Sequence, residues 1–371
     1  MGSPIPHYPL DMNTSLPILA LALLLPAVGA GAQVLTNGTD LDVTRSWYQQ
    51  PQGWTYEMSI RVPTGEVPSG GFPVCILLHG GGGNAGQTIN EFSGLLDCHV
   101  LIAPQGYLGG WDICSEPSNA PDVSMVGELI ERVQAFENVD PDRIRIVGFS
   151  NGSALANNVL IQNTNPGLDA VCAVVSQLSV SQYHDGAFHA PSGITDPNAS
   201  FCGYDQPVQP IDGRRYLCIA NVNDGTIPYL GGSSFVGVDF LPAQLGTFRI
   251  AQLMGFTGSQ LPEPGAPLGA GVSLYSYLDG AVVHLRGFAG HGMNPVQREF
   301  LADFLGNCAA PPACPQDLTG DDEVGGQDLA LVLATWQQSV EPGTGADLND
   351  DGRINGQDLA ELLAYWGPCS G

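Results

Sequence analysis

Lysine is absent from this 371-residue chain: all 11 basic side chains are arginines, set against 37 Asp and Glu for a formal charge of −26. With no primary amine on any side chain, lysine Schiff bases, pyridoxal phosphate anchoring and the P-loop lysine are excluded together. Positive charge is also too sparse for sequence-independent binding to nucleic acid or anionic lipid, which needs clustered cations, and Arg214-Arg215 is the only adjacent basic pair. Long hydrophobic runs are missing as well. The stretch from Leu16 to Val28 is interrupted by Pro17 and Pro26 and falls short of the about 20 apolar residues of a membrane span. It leads to Ala30-Gly31-Ala32, the small-residue form of a signal peptidase site, so residues 1–32 read as an export signal cleaved before Gln33 and the mature protein as secreted. What the chain has in quantity is turn residues, 49 Gly and 29 Pro, beside 43% hydrophobic residues, enough apolar side chains for a packed core.

Export lets the nine cysteines pair. Cys75 lies in an apolar strand-like run and is expected to be buried. Pairings among Cys98, Cys114, Cys172, Cys202 and Cys218 stay open. Cys314 and Cys369 bracket a C-terminal repeat, and a bridge between them is expected, leaving Cys308 free or paired elsewhere.

That repeat matches residues 317–336 to 347–366 at an offset of 30, with Asp317/Asp347, Gly326/Gly356, Asp328/Asp358 and Trp336/Trp366 in register. In the second copy Asp347, Asn349, Asp351, Gly352 and Asp358 take positions 1, 3, 5, 6 and 12 of an EF-hand-type calcium loop, with the Arg353 carbonyl at position 7. In the first, Asp317, Thr319, Asp321, the Glu323 carbonyl and Asp328 fit, but Asp322 replaces the turn glycine, so weaker calcium binding is expected there. After each loop apolar residues recur at helical spacing (Leu329, Val332, Leu333, Trp336; Leu359, Leu362, Leu363, Trp366), and the two stripes are expected to pack on each other. The residues resemble a type I dockerin. The resemblance implies bound structural Ca2+ and a cohesin-type scaffold protein as partner. A stiff linker, 309–313, precedes this 314–371 module.

Between 33 and 308, short apolar runs are regularly spaced. Tyr56, Met58, Ile60 and Val62 alternate like a half-buried strand, while Val74–Leu78, Val100–Ala103, Ile144–Val147, Val171–Val175 and Tyr216–Ala220 are continuous, as in strands buried on both faces. A helix is expected through Met125, Leu129, Ile130, Val133 and Phe136. Strands alternating with helices predict an α/β fold, a mostly parallel sheet covered on both faces, with ligands at the carboxyl ends of the strands.

Three motifs lie at such ends. Gly148-Phe149-Ser150-Asn151-Gly152 is G-x-S-x-G between a strand and a helix, which makes Ser150 a candidate nucleophile. Leu78-His79-Gly80-Gly81-Gly82-Gly83 follows an earlier strand. The Gly81 amide, with that of Asn151, is expected to hold an oxyanion, and His79 to shape the loop. A phosphate cradle is excluded because no Lys-Ser/Thr follows. In this architecture the acid precedes the base. Among Asp185, Asp196, Asp205, Asp212, Asp224 and Asp239, only Asp224 stands just beyond a buried strand. Among His184, His189, His284 and His291, the last sits in the glycine-flanked loop Gly290-His291-Gly292. His184 and His189 are expected near the substrate mouth, although as a zinc pair they are poor; His284 is expected to be packed. Trp111, after Gly109-Gly110, is singled out for substrate binding by stacking, with a packed core aromatic as the alternative.

The span from Phe72 to Phe304 resembles the polyhydroxybutyrate depolymerase-like esterases that include the feruloyl and acetylxylan esterases of carbohydrate esterase family 1. The resemblance rests on Leu78-His79-Gly80, Ala103-Pro104-Gln105-Gly106, Gly110-Trp111, Asp122-Val123, Val139-Asp140-Pro141-Asp142-Arg143-Ile144, the Ser150 elbow, Asp224-x-x-Ile227-Pro228-Tyr229 and Gly290-His291. It implies an α/β-hydrolase with Ser150, Asp224 and His291 as triad, no catalytic cofactor, and a polysaccharide or polyester ester as substrate. Met293-Asn294 depart from the family, which has a tryptophan soon after the histidine.

Overall fold

The computed structural model describes Gly2 and residues 33–192, 200–306, 314–319, 323–340, 345–349 and 351–369. The expected export signal, the 309–313 linker, Cys308, Asp196, Asp321 and Asp322 lie outside the described residues.

Nine strands form the main sheet: β1 Met58–Arg61, β2 Phe72–Leu78, β3 Val100–Pro104, β4 Val139–Phe149, β5 Leu168–Val174, β6 Arg215–Asn221, β7 Ala266–Gly269, β8 Val272–Tyr277 and β9 Val282–Gly287. Their spatial order is β7-β8-β9-β6-β5-β4-β2-β3-β1. The six central strands run parallel, β9 through β3. Antiparallel β1 closes one edge, and β8 and β7 close the other. The continuous apolar runs occupy the parallel centre because only there are both faces covered; every residue of β2 and β3 is buried.

The pleat sends alternate residues to two cores. Ile76 and Leu78 join Met125 of α2 (Asp122–Val133), Leu155 of α3 (Asn151–Gln162) and Ile250 of α4 (Ala243–Leu253) on one face. Cys75 and Leu77 join Ile89 of α1 (Ala85–Phe92) and Leu301 of α5 (Pro295–Leu305) on the other. Phe136 falls beyond α2 but still packs in the first core. Tyr56 belongs to a hairpin preceding β1, Val43–Trp47 with Gln50–Tyr56.

Cys314 and Cys369 are bridged. So are Cys114 and Cys202, a pairing left open by the sequence. Cys98 is also disulfide-bonded. Cys75, Cys172 and Cys218 are buried free thiols, pushed up in pKa by that burial.

The C-terminal module has its own small core of Val324, Val332, Ala346, Ile354 and Leu362. Its helices, α6 Gly326–Ala334 and α7 Gly356–Ala364, have nine residues each. The expected mutual burial of two full stripes is corrected here: Val332 and Leu362 are buried, whereas Leu333, Trp336, Leu363 and Trp366 are exposed. A core this small cannot cover both edges of two short helices.

Candidate active site

Ser150 sits at the turn between β4 and α3, with φ 53° and ψ −118°. A serine rarely takes positive φ, and the strain is held by close packing around the elbow. A Cβ on Gly148 would strike the Gly152 carbonyl, and one on Gly152 would strike the Leu78 carbonyl. Both glycines are therefore required by contact, and the turn lifts the hydroxyl above the carboxyl end of the sheet.

Two later loops meet it there. His291, in the loop between β9 and α5, places Nε2 2.8 Å from Ser150 Oγ. Its Nδ1 is 2.8 Å from Asp224 Oδ2. Asp224 Oδ1 accepts from the Thr226 and Ile227 amides at 2.8 and 3.1 Å, which fixes the carboxylate just past β6. The aspartate side chain is 2% exposed and that of the histidine 26%, so the imidazole faces the cavity while its partner is sealed behind it. Phe149 packs edge-on against the imidazole, centroids 5.7 Å apart. A serine, an imidazole and a carboxylate in this relation can pass a proton from hydroxyl to ring.

The cavity over Ser150 encloses about 520 Å³. Leu108, Ile113, Ile227, Val236, Val238 and Phe240 give it an apolar wall, and Gly81, Asn151, Glu116 and His291 also line it. Gly82 donates to the Gly109 carbonyl of a neighbouring loop (2.7 Å) and Gly83 to the Gly80 carbonyl (2.9 Å), so the two amides following Gly81 are already engaged. Asn151 opens α3, where the first amides of a helix have no intrahelical acceptor.

His79 is a loop-shaping residue. Its Nδ1 lies 2.8 Å from the Gly80 carbonyl and its Nε2 accepts from the Gly106 amide at 3.0 Å; burial lowers its pKa. Trp111 is a correction to the stacking role. It is 0% exposed and its indole donates to the His79 carbonyl at 2.8 Å, so no ring face is left for a substrate. The large apolar ring and its single N–H are both satisfied inside. His184 and His189 are a second correction. They stack on each other at 3.7 Å, and His184 also stacks on Phe201; neither lines the cavity. His284 is buried between the Cys218 carbonyl and the Tyr229 hydroxyl.

Glu116 was not singled out by its sequence. It accepts from the Ile113 and Cys114 amides (3.2 and 2.7 Å) and from Asn151 Nδ2 (3.0 Å). The Asn151 side chain also accepts from the Trp111 amide at 2.7 Å. The wall loop is thus tied to the elbow, and the Cys114–Cys202 bridge ties it to the segment at Cys202. An acidic residue two positions after a cysteine was the available signal, but its partner lies 35 residues away.

In the second C-terminal loop, Asp347 accepts from the Asp351 and Gly352 amides (3.2 and 2.9 Å), and Asp358 from the Leu348 and Asn355 amides (2.8 and 2.7 Å). In the first, Asp328 accepts from the Thr319 and Gly325 amides (3.0 and 2.7 Å) and Thr319 Oγ1 donates to Asp317 at 3.3 Å. The turns wrap around buried carboxylates, Asp328, Asp347 and Asp358. The donors are all oxygen, which suits a hard cation such as Ca2+. Among the described residues no group of three or more His, Cys, Asp or Glu side chains is placed to hold a metal ion.

The sheet order, the serine elbow after a central strand, and an acid and a histidine on successive later loops define an α/β-hydrolase fold. The dockerin type I domain family matches residues 315–365. The chain is therefore an α/β-hydrolase-fold protein with a C-terminal dockerin type I module. It is 28% identical over 153 residues to a putative esterase, NocK, of Nocardia uniformis subsp. tsuyamanensis; the match spans 38% of this chain and 42% of that one. Similar solved structures include an acetyl xylan esterase from Aspergillus awamori, at 14% identity and TM-score 0.46 over 67% of this chain and 93% of that one. A Bacillus cereus carboxylesterase is at 13% identity and TM-score 0.41, again over 67% and 93%.

Proposed function

We propose that this protein is a secreted serine esterase that hydrolyses carboxylic esters on plant polysaccharide, of the feruloyl or acetyl xylan type. The observation that carries the reading is the line from Asp224 through His291 to Ser150, with both contacts at 2.8 Å, at the floor of the cavity. His291 Nε2 takes the proton of Ser150 as Oγ attacks the ester carbonyl; Asp224 holds the imidazole with Nδ1 protonated. The Gly81 and Asn151 amides receive the oxyanion. Collapse of the tetrahedral species breaks the carbonyl–alkoxy bond, and His291 returns the proton to the departing alcohol. Water, deprotonated by the same ring, then releases the acid and restores Ser150. No cofactor enters these steps. The apolar wall would also accept a hydroxyalkanoate chain, which favours a polyester depolymerase as the second reading.

The dockerin module attaches the enzyme to a cohesin-type scaffold. Exposed Leu333 and Trp336, repeated as Leu363 and Trp366, support a protein-binding surface. Asp347, Asn349, Asp351, the Arg353 carbonyl and Asp358 would hold one Ca2+, and Asp317, Thr319, Asp321, the Glu323 carbonyl and Asp328 a second. The metal neutralises loops whose acids otherwise repel. No helix among the described residues is long and apolar enough to cross a membrane.

The deciding experiment assays secreted protein on acetyl, feruloyl and hydroxybutyryl esters, with feruloylated or acetylated xylan and polyester granules as polymers. A fluorophosphonate labelling wild type but not Ser150→Ala is expected. A wild type that neither labels nor hydrolyses any of the panel would leave only a scaffold-attached binding protein.

A further inference from the structure

Resting on the reading of His291 as the base, we propose that Asn221, seconded by Asn223, is a positioning residue that clamps the backbone on both sides of that histidine. Asn221 ends β6 and is 1% exposed. Its Nδ2 donates to the Gly290 carbonyl at 2.9 Å and to the Gly292 carbonyl at 2.8 Å, the residues immediately before and after His291. Its Oδ1 accepts from Gln297 Nε2 at 3.0 Å.

The orientation of this carboxamide is forced, because both groups facing Nδ2 are carbonyls and only an N–H can satisfy them. Gln297 is itself locked. Buried in the first turn of α5, it exchanges two hydrogen bonds with Asn294, its Oε1 accepting from the Asn294 amide at 3.0 Å and its amide donating to Asn294 Oδ1 at 2.9 Å. The clamp is therefore anchored at one end in the parallel sheet and at the other in a helix cap.

Asn223 adds an outer latch. Its Oδ1 accepts from the Gly290 amide at 2.9 Å and its Nδ2 donates to the Phe288 carbonyl at 3.0 Å. The same short stretch carries Asp224, which holds the imidazole Nδ1. One strand end thus holds both the ring and the main chain that bears it. The loop needs this support because Gly290 (φ 62°) and Gly292 flank the histidine with the most permissive backbone available. A misplacement of about 1 Å at a reacting group costs on the order of 100-fold in rate.

The test compares wild type with Asn221→Ala, Asn221→Asp and Asn223→Ala on a p-nitrophenyl ester, with fluorophosphonate labelling and the low-field proton resonance of His291 Nδ1–H as further readouts. Asn221→Asp keeps the shape but presents no N–H to the two carbonyls. Both Asn221 variants are expected to lose about 10–100-fold in kcat with KM within about 2-fold, to label more slowly by the same factor, and to broaden or lose the resonance. Asn223→Ala, at an exposed site, should lose about 2–10-fold in the same pattern. A merely structural role would lower melting temperature without moving the resonance of the folded fraction. Folded Asn221→Ala with unchanged kcat and resonance overturns the proposal; if the Asn221 variants do not fold, unchanged values in Asn223→Ala do so. Failure of the triad reading itself is seen separately, as wild type left unlabelled at Ser150.

Discussion

His291 Nε2 lies 2.8 Å from Ser150 Oγ although 141 positions separate the two residues. The sheet makes the meeting possible, because β4 and β9 are parallel strands whose carboxyl ends open on the same side, with β5 and β6 between them.

Asp224→Asn keeps the shape of the acid but favours the imidazole tautomer with the wrong nitrogen protonated. We expect kcat to fall about 10³–10⁴-fold with little change in melting temperature, measured by steady-state kinetics and thermal melts. Activity within threefold of wild type would remove Asp224 from the mechanism.

Trp111→Ala should cost about 3–5 kcal/mol of stability, as truncation of a buried large aromatic does, with an added loss from the unpaired His79 carbonyl. The ratio of kcat/KM between feruloyl and acetyl esters should stay the same in any folded fraction, and a selective loss on the aromatic ester would restore the stacking role.

Asp122 is buried, accepting from the Tyr56 hydroxyl and the Asp112 amide. Burial, against those two hydrogen bonds, pushes its pKa up to about 7. Between about 4, the unfolded value, and about 7, the folded state holds a proton that the unfolded state has released. Stability from this group is therefore present at low pH and lost as pH rises through that window. Asp122→Asn retains the neutral form, so its melting temperature relative to wild type should climb from pH 4 to pH 8. The buried histidines His99 and His284, lowered by burial to about 3 and about 4, act in the opposite direction but cancel in this difference. A flat difference would refute the proton linkage.

Chelation should melt the C-terminal module and leave the hydrolase untouched. Adding EGTA to the full chain is expected to remove a calcium-dependent transition in calorimetry while ester hydrolysis stays within about 20% of its starting value, since the two cores are separate. Asp358→Ala should abolish one calcium equivalent in titration. Stoichiometry unchanged by that substitution would place the ion elsewhere.

Much of the fold was legible because buried parallel strands write themselves as continuous apolar runs: Val74–Leu78 and Tyr216–Ala220 fall inside β2 and β6. Gly148 and Gly152 were legible for a different reason, since a tight turn leaves its steric demand in adjacent positions. The apolar stripes of the C-terminal repeat misled, because helical spacing shows which residues share a face but not how much partner surface is available to cover them. Asn221 left no local trace, as it binds main-chain carbonyls contributed by another loop, and the link from Glu116 to the Asn151 side chain joins residues 35 positions apart.

The order of residues alone determined the elbow, the paired acidic loops and the absence of amine chemistry, because each depends on groups within a few covalent bonds or on a residue type that is missing. Only the tertiary structure decided how Asp224 and His291, already singled out in the sequence, come to within 2.8 Å of each other and the histidine to within 2.8 Å of Ser150, that Trp111 faces inward, and that Cys114 joins Cys202. Those outcomes depend on how the strands are ordered in the sheet, which brings distant segments to one edge and is written in no single stretch of the chain.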